Sequence, residues 1–187
     1  MPRYVAFLRA INVGGARSVK MATLCRLFEE MGFSEVSSYI ASGNIIFTSP
    51  SRNASALEDR IEAGLMEALG YEIAPFVRTT AELARIAQFE PFPASRIGPT
   101  DQLGVLFLFK PLGPGPVAAL QTLQGTSDEF RAEGREVYWL RHRGPDGQIY
   151  FTAPFDRVID QPFTIRSANT VAKIVEKYHA GRSTARK

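Results

Sequence analysis

The segment richest in usable chemistry is Asn12-Val13-Gly14-Gly15-Ala16-Arg17-Ser18, with Arg9 before it and Lys20 after it. Glycines let a backbone come close to a ligand, and free N–H groups where a loop enters a helix attract anions. Arg9, Arg17 and Lys20 add positive charge, so the spacing suits a phosphate or carboxylate framed by Asn12, Gly14 and Gly15. The same glycines would equally serve a sharp reversal of the chain. Two further polar strings have this character. Ser42-Gly43-Asn44 is a tight-turn sequence, and Arg166 with Asn169 and Thr170 stands where a strand gives way to a helix, with Ser167 as its cap. The expectation is that the three strings line one cleft.

Catalytic chemistry finds less support. The Gly-x-x-x-x-Gly-Lys-Ser/Thr phosphate loop and the Gly-x-Gly-x-x-Gly dinucleotide fingerprint are both absent, and no Gly-x-Ser-x-Gly elbow occurs. Cys25, the only cysteine, falls beside Leu24 and Phe28 on an apolar helical row and reads as a small core residue. A lone thiol also excludes an internal disulfide framework and a cysteine-rich zinc site. His142 and His179 have no ligand-like spacing to each other or to Cys25, so no metal site is read. Asp156 and Asp160 read as solvated surface rather than an acid–base pair. The residues therefore favour a binding protein for a phosphate-bearing small molecule or nucleotide, held between two halves of the chain. A metal-independent enzyme using the same polar residues is the alternative, and no cofactor is indicated.

The elements that must position these residues repeat. Tyr4 to Ile11 is a strand apolar on both parities, and Met21, Leu24, Cys25, Phe28 and Met31 recur at helical spacing before Gly32. Strands follow at Val36–Ala41 and Asn44–Thr48. A helix over Ser55–Leu69 has Ser55 and Glu58 at capping-box spacing, and Gly70 stops it. Ile73–Arg78 is a fourth strand, and a short helix opens at Thr79 with Glu82. After the proline-rich stretch from Glu90 to Pro99 the order recurs. Leu103–Phe109, the helix Pro116–Leu123, the hairpin Asp128–Ala132 and Glu136–Arg141, a helical Ile149–Ile159 and Phe163–Arg166 precede a last helix marked by Val171, Ile174, Val175 and Tyr178.

Each half reads βαββαβ, the ferredoxin-like order. The fold expected is α+β: two tandem ferredoxin-like units packed together, plus a C-terminal helix. The divisions are residues 1–90, a connector at 91–102, a second unit at 103–179 and a basic tail at 180–187. Val5, Phe7, Val105 and Phe107 lie on strands without a polar face, so both sheets need a second cover; packing of the halves on one another is the economical one.

Composition bounds the rest. The chain has 187 residues, 45% of them hydrophobic, enough for a core without staples. No apolar run approaches the roughly 20 residues that span a bilayer, and the first residues do not read as a signal peptide, which points to the cytoplasm. Lys173, Lys177, Arg182, Arg186 and Lys187 give the C-terminus a basic bias, the basis of a third reading as a protein-interaction or weak nucleic-acid-associated module. Against nucleic acid, Asn44-Ile45-Ile46-Phe47-Thr48 lacks the Lys/Arg-Gly-Phe-x-Phe character of an RNA-recognition strand. The partner expected is an anionic small molecule, with no membrane role.

Several strings together carry a family resemblance. Arg9-Ala10-Ile11-Asn12-Val13-Gly14-Gly15, Val19-Lys20-Met21 with Leu24, and Tyr39-Ile40-Ala41-Ser42-Gly43-Asn44 with Phe47 resemble the family called domain of unknown function 1697. Thr164-Ile165-Arg166-Ser167-Ala168-Asn169-Thr170-Val171-Ala172-Lys173 resembles its second signature, so the likeness runs from residue 3 to about residue 178. Where that family commonly carries an Asn-Trp pair, this chain has Ser167-Ala168. The family is itself uncharacterised, so the resemblance implies a fold and no reaction.

Overall fold

The computed structural model describes residues 1–9, 11, 19–144 and 154–179. By contacts the chain forms two units, Met1–Ile86 with the stretch from Lys173 onward, and Ala87–Ala172.

In the first unit β1 (Arg3–Leu8) leads to α1 (Met21–Glu30), β2 (Ser34–Ser38), β3 (Asn44–Thr48), α2 (Ala54–Leu69), β4 (Pro75–Thr79) and α3 (Thr80–Gln88). The sheet is antiparallel, in the order β2-β3-β1-β4. That order follows from two split βαβ crossovers, β1-α1-β2 and β3-α2-β4, each passing over one intervening strand. Alternation along β1 sends Tyr4, Ala6 and Leu8 into a core with Leu24, Phe28, Phe47, Ile61 and Leu65, beneath α1 and α2. Val5 and Phe7, pointing the other way, are fully buried too, with Ile46 and Phe76 beside them. Both parities of β1 are thus covered.

The second unit repeats the plan. A single 3-10 turn (Ala94–Arg96) precedes β5 (Gln102–Leu108), α4 (Pro114–Thr122), β6 (Asp128–Glu133), β7 (Glu136–Arg141), α5 (Phe155–Val158) and β8 (Phe163–Ser167); α6 (Ala168–His179) starts in this unit and ends in the first. Its antiparallel sheet runs β6-β7-β5-β8. Leu106, Leu108, Val137 and Trp139 pack with Leu120, Phe130 and Phe155 on one face, while Val105, Phe107, Tyr138 and Leu140 are buried on the other. The α+β fold of tandem ferredoxin-like units with a terminal helix is the one present.

Registers show that the repeat is closer than element order alone. Val5 lies opposite Arg78 and Ile46 in the first sheet, and Val105 lies opposite Arg166 and Tyr138 in the second. Directly opposed residues share a face, so each unit carries one buried arginine at the same place. Each curls back on its own strand: Arg78 Nη1 donates to Val77 O at 2.9 Å, and Arg166 Nη1 donates to Ile165 O at 2.8 Å.

Several boundaries differ from the sequence reading. β2 ends at Ser38, short of Ala41, because Ile40 turns into the left-handed region at φ 51°. Helix α2 is capped by Asn53, whose side chain accepts from the Ala56 amide, rather than by Ser55. Glu58 is drawn away from the helix end: it is buried and accepts the Val77 amide of edge strand β4 at 2.8 Å. Of the expected helix Ile149–Ile159, only the single turn Phe155–Val158 forms among the described residues, and 145–153 lie outside them. The Thr79–Glu82 capping box forms as read, with reciprocal bonds of 2.8 and 3.0 Å.

Candidate functional site

Of the polar residues singled out above, Asn12, Gly14, Gly15 and Arg17 lie outside the described residues, as does the basic tail 180–187. The residues before and after that stretch of sequence are described. The Leu8 amide donates to Gly43 O at 2.8 Å, and the Arg9 amide donates to Ala74 O at 3.0 Å. The end of β1 is thus tied by a backbone bond to the Ser42-Gly43-Asn44 turn. Gly43, at φ +74°, is required there: a Cβ would come within 3.2 Å of both the Leu8 and Ile11 side chains.

Within that turn Asn44 is fully buried and is a brace. Its Nδ2 donates to Tyr39 O and to Ser42 Oγ, both at 2.9 Å. Ser42 is half-buried, as is Arg9. Ile40 is 53% exposed in a left-handed conformation that costs a β-branched residue on the order of 1–3 kcal/mol. On the other flank, Lys20 takes the cap position of α1 with no side-chain bond to the helix, and the first turn holds no acidic residue. In that first turn the Thr23 amide donates to Lys20 O at 3.0 Å, and no acidic residue of the turn offers its charge to the helix start. Lys20 itself is exposed and makes no ion pair with a described residue.

Arg166, Asn169 and Thr170 belong to the second unit. Arg166 is buried, its pKa pushed down to about 10 by burial, and its Nη1 also donates to Thr164 Oγ1 at 2.9 Å. Ser167 Oγ accepts the Thr170 amide at 3.1 Å, so the helix start is capped as read. Asn169 is exposed. Cys25 packs against the first core, and burial pushes its thiol pKa up, the reverse of an activated nucleophile. Asp156 and Asp160 are exposed, as expected of surface.

The sequence reading missed one cluster. His142 Nδ1 lies 2.8 Å from Asp101 Oδ2, and Nε2 lies 3.0 Å from Glu129 Oε1. Glu129 also takes Arg96 at 2.7 Å. Because the partners come from separate elements, no local spacing announces the group. Its hydrogen bond to Glu129 raises the His142 pKa against the opposing effect of burial, with Asp101 adding to the rise. Burial pushes Asp101 up, but the Gly98 amide and His142 outweigh it and the net is downward.

A folded-state pKa raised above the ordinary 6.5 means that the His142 contribution is full below that value and is lost as pH climbs through the folded one. The lowered Asp101 pKa acts at the other end: its contribution holds above 3.8 and fades as pH falls toward the folded value. Urea unfolding of wild type and His142→Gln should thus differ most between these limits and converge at alkaline pH. A gap that widens above pH 8 would contradict the assignment.

Comparison with known proteins places the chain. The family described as Protein of unknown function (DUF1697) matches residues 1–138. The chain belongs to that family. The match takes in the β1–α1 segment and the Ser42–Asn44 turn, and ends before the Arg166–Thr170 string. No curated protein matches. This family member is similar to a solved structure, that of a conserved bacterial protein from Streptococcus pneumoniae, with 24% identity and a TM-score of 0.71 over 95% of this chain and 98% of the other. A likeness at that identity bears on the fold alone. No helix among the described residues is long and apolar enough to cross a membrane, and no cluster of His, Cys, Asp and Glu there could hold a metal ion.

Proposed function

We propose that this chain is a cytoplasmic binding protein for a phosphate-bearing small molecule or nucleotide, seated at the β1 exit, the segment leading to α1 and the Ser42–Asn44 turn. The observation that carries this reading is the uncapped start of α1: exposed Lys20 at the cap and no acidic side chain in the first turn. Such an end favours a negative ligand. The strained, exposed Ile40 beside the turn supports it, because strain of that kind collects at binding sites. In this reading Arg9, Lys20 and Ser42, with Asn12, Gly14, Gly15 and Arg17, meet the ligand, and Asn44 holds the turn in shape. Arg166, Asn169 and Thr170 belong to the second unit, and their part in binding is tested by substitution.

The experiment is a thermal-shift series with nucleoside phosphates, sugar phosphates and inorganic phosphate at millimolar concentration. A ligand at about 100 times its Kd stabilises by about 2.7 kcal/mol, readily visible as a rise in Tm. Lys20→Glu should abolish the rise. Asn169→Asp asks whether the second group takes part: an unchanged rise confines the site to the first unit. No rise with any phosphate compound would remove the proposal.

A further inference from the structure

Beside edge strand β6 runs an open groove of about 410 Å³, within the size range of binding sites. Apolar Phe92, Val117 and Leu120 and four consecutive residues of β6, from Glu129 to Ala132, are among its lining. Alternate strand residues point to opposite faces, so a cavity touching four in succession lies along the strand's open edge.

The direction of the backbone along that edge can be fixed. The His142 amide donates to Ser127 O, placing the polar groups of 127 on the β7 side. The Gly125 amide donates to Asp128 O, placing those of 128 on the outer side. With the two-residue repeat of a strand, Phe130 and Ala132 also aim N–H and C=O outward. No described strand pairs there, since β6 ends the sheet. Phe130 and Ala132 make no backbone hydrogen bond on that side with a described residue, and such an edge is a template for a further strand.

The charge lining the groove selects among occupants. Arg96 and Glu129 are paired with each other. Arg131 is exposed and makes no ion pair with a described residue. We infer that the β6 edge is a docking site for an extended peptide that adds a fifth strand, with an acidic side chain beside Arg131 and apolar side chains on either side of it. The peptide residues opposite Phe130 and Ala132 share the face on which those two pack with Leu120, and the residue between them meets Arg131. Such a peptide alternates apolar and acidic residues.

The test uses the full chain, isotopically labelled, and three capped hexapeptides: alternating aspartate and valine, alternating lysine and valine, and the first N-methylated at the residues whose N–H would face β6. Expected are saturable shifts and slowed exchange of the Phe130 and Ala132 amides with the aspartate peptide, at least tenfold weaker binding of the lysine peptide, and none of the N-methylated one. Arg131→Glu, a surface change, should reverse the preference between the charged peptides. Equal binding of both charges, or shifts that avoid β6, would overturn the inference. So would protection of the same amides without peptide that grows with protein concentration, which would give the edge to a second copy of the chain.

Discussion

Replacing Glu58 with alanine should lower the unfolding free energy by about 3–5 kcal/mol, the loss expected when one partner of a buried ion pair is removed. Glu58 comes from α2 but serves β4. Its carboxylate accepts the Val77 amide at 2.8 Å on the free edge of the sheet and lies 3.9 Å from the Arg78 guanidinium, with both side chains nearly sealed from water. The distances suggest a division of labour. A 3.9 Å ion pair is long, whereas the backbone bond is short. Glu58→Gln keeps an acceptor for Val77 and gives up the charge, so it should retain about 1–2 kcal/mol of what alanine loses. Urea unfolding followed by far-UV circular dichroism measures both, and hydrogen exchange at the Val77 amide localises the effect. A loss below about 1 kcal/mol for alanine would mean that the guanidinium is satisfied without Glu58.

Trp139→Ala is expected to be as damaging in the second unit, at about 3–5 kcal/mol. The indole is fully buried and touches Phe155 edge-on at 4.7 Å between ring centres. Its Nε1 donates to the buried Asp128 carboxylate at 2.7 Å. Arg141 lies over its face at 4.3 Å, and the Arg141 Nε has no hydrogen-bond partner among the described residues. One ring therefore fills volume, satisfies a carboxylate and shields a guanidinium. Trp139→Phe keeps most of the volume but leaves Asp128 short of a donor, a change of about 1–3 kcal/mol. Since Trp139 is the only tryptophan, wild-type fluorescence reports this unit, and circular dichroism must serve for the variants. Equal losses for phenylalanine and alanine would assign the energy to the hydrogen bond rather than to packing.

How far the sequence could be read depended on how local each signal was. Helix α1 was legible because Leu24 and Phe28 repeat at the spacing that puts one stripe on the core, and both are fully buried. The doubled apolar parity of β1 and β5 correctly announced sheets covered on both faces. Thr79 and Glu82 met as read because their bonds span only one turn. The identical spacing of Ser55 and Glu58 misled, since a long-range acceptor site on β4 claimed the carboxylate. The Asp101–Glu129–His142 cluster left no trace in the sequence, its members being brought together only by strand pairing and the turn before β5. For the proposed anion site, the Ser42–Asn44 string was legible as a turn, and Asn44 is the brace within it. Gly14 and Gly15 themselves lie outside the described residues.

The end of α6 returns to the unit where the chain began. Arg3 Nη1 donates to Tyr178 O at 3.3 Å, and Lys177 Nζ lies 5.8 Å from the Tyr39 ring centre. A chain emerging residue by residue from the ribosome makes every strand of its first sheet long before Tyr178 exists. The earlier unit must wait, incomplete, for the last helix, and a fragment cut after Ile86 would leave Arg3 and Tyr39 without these contacts.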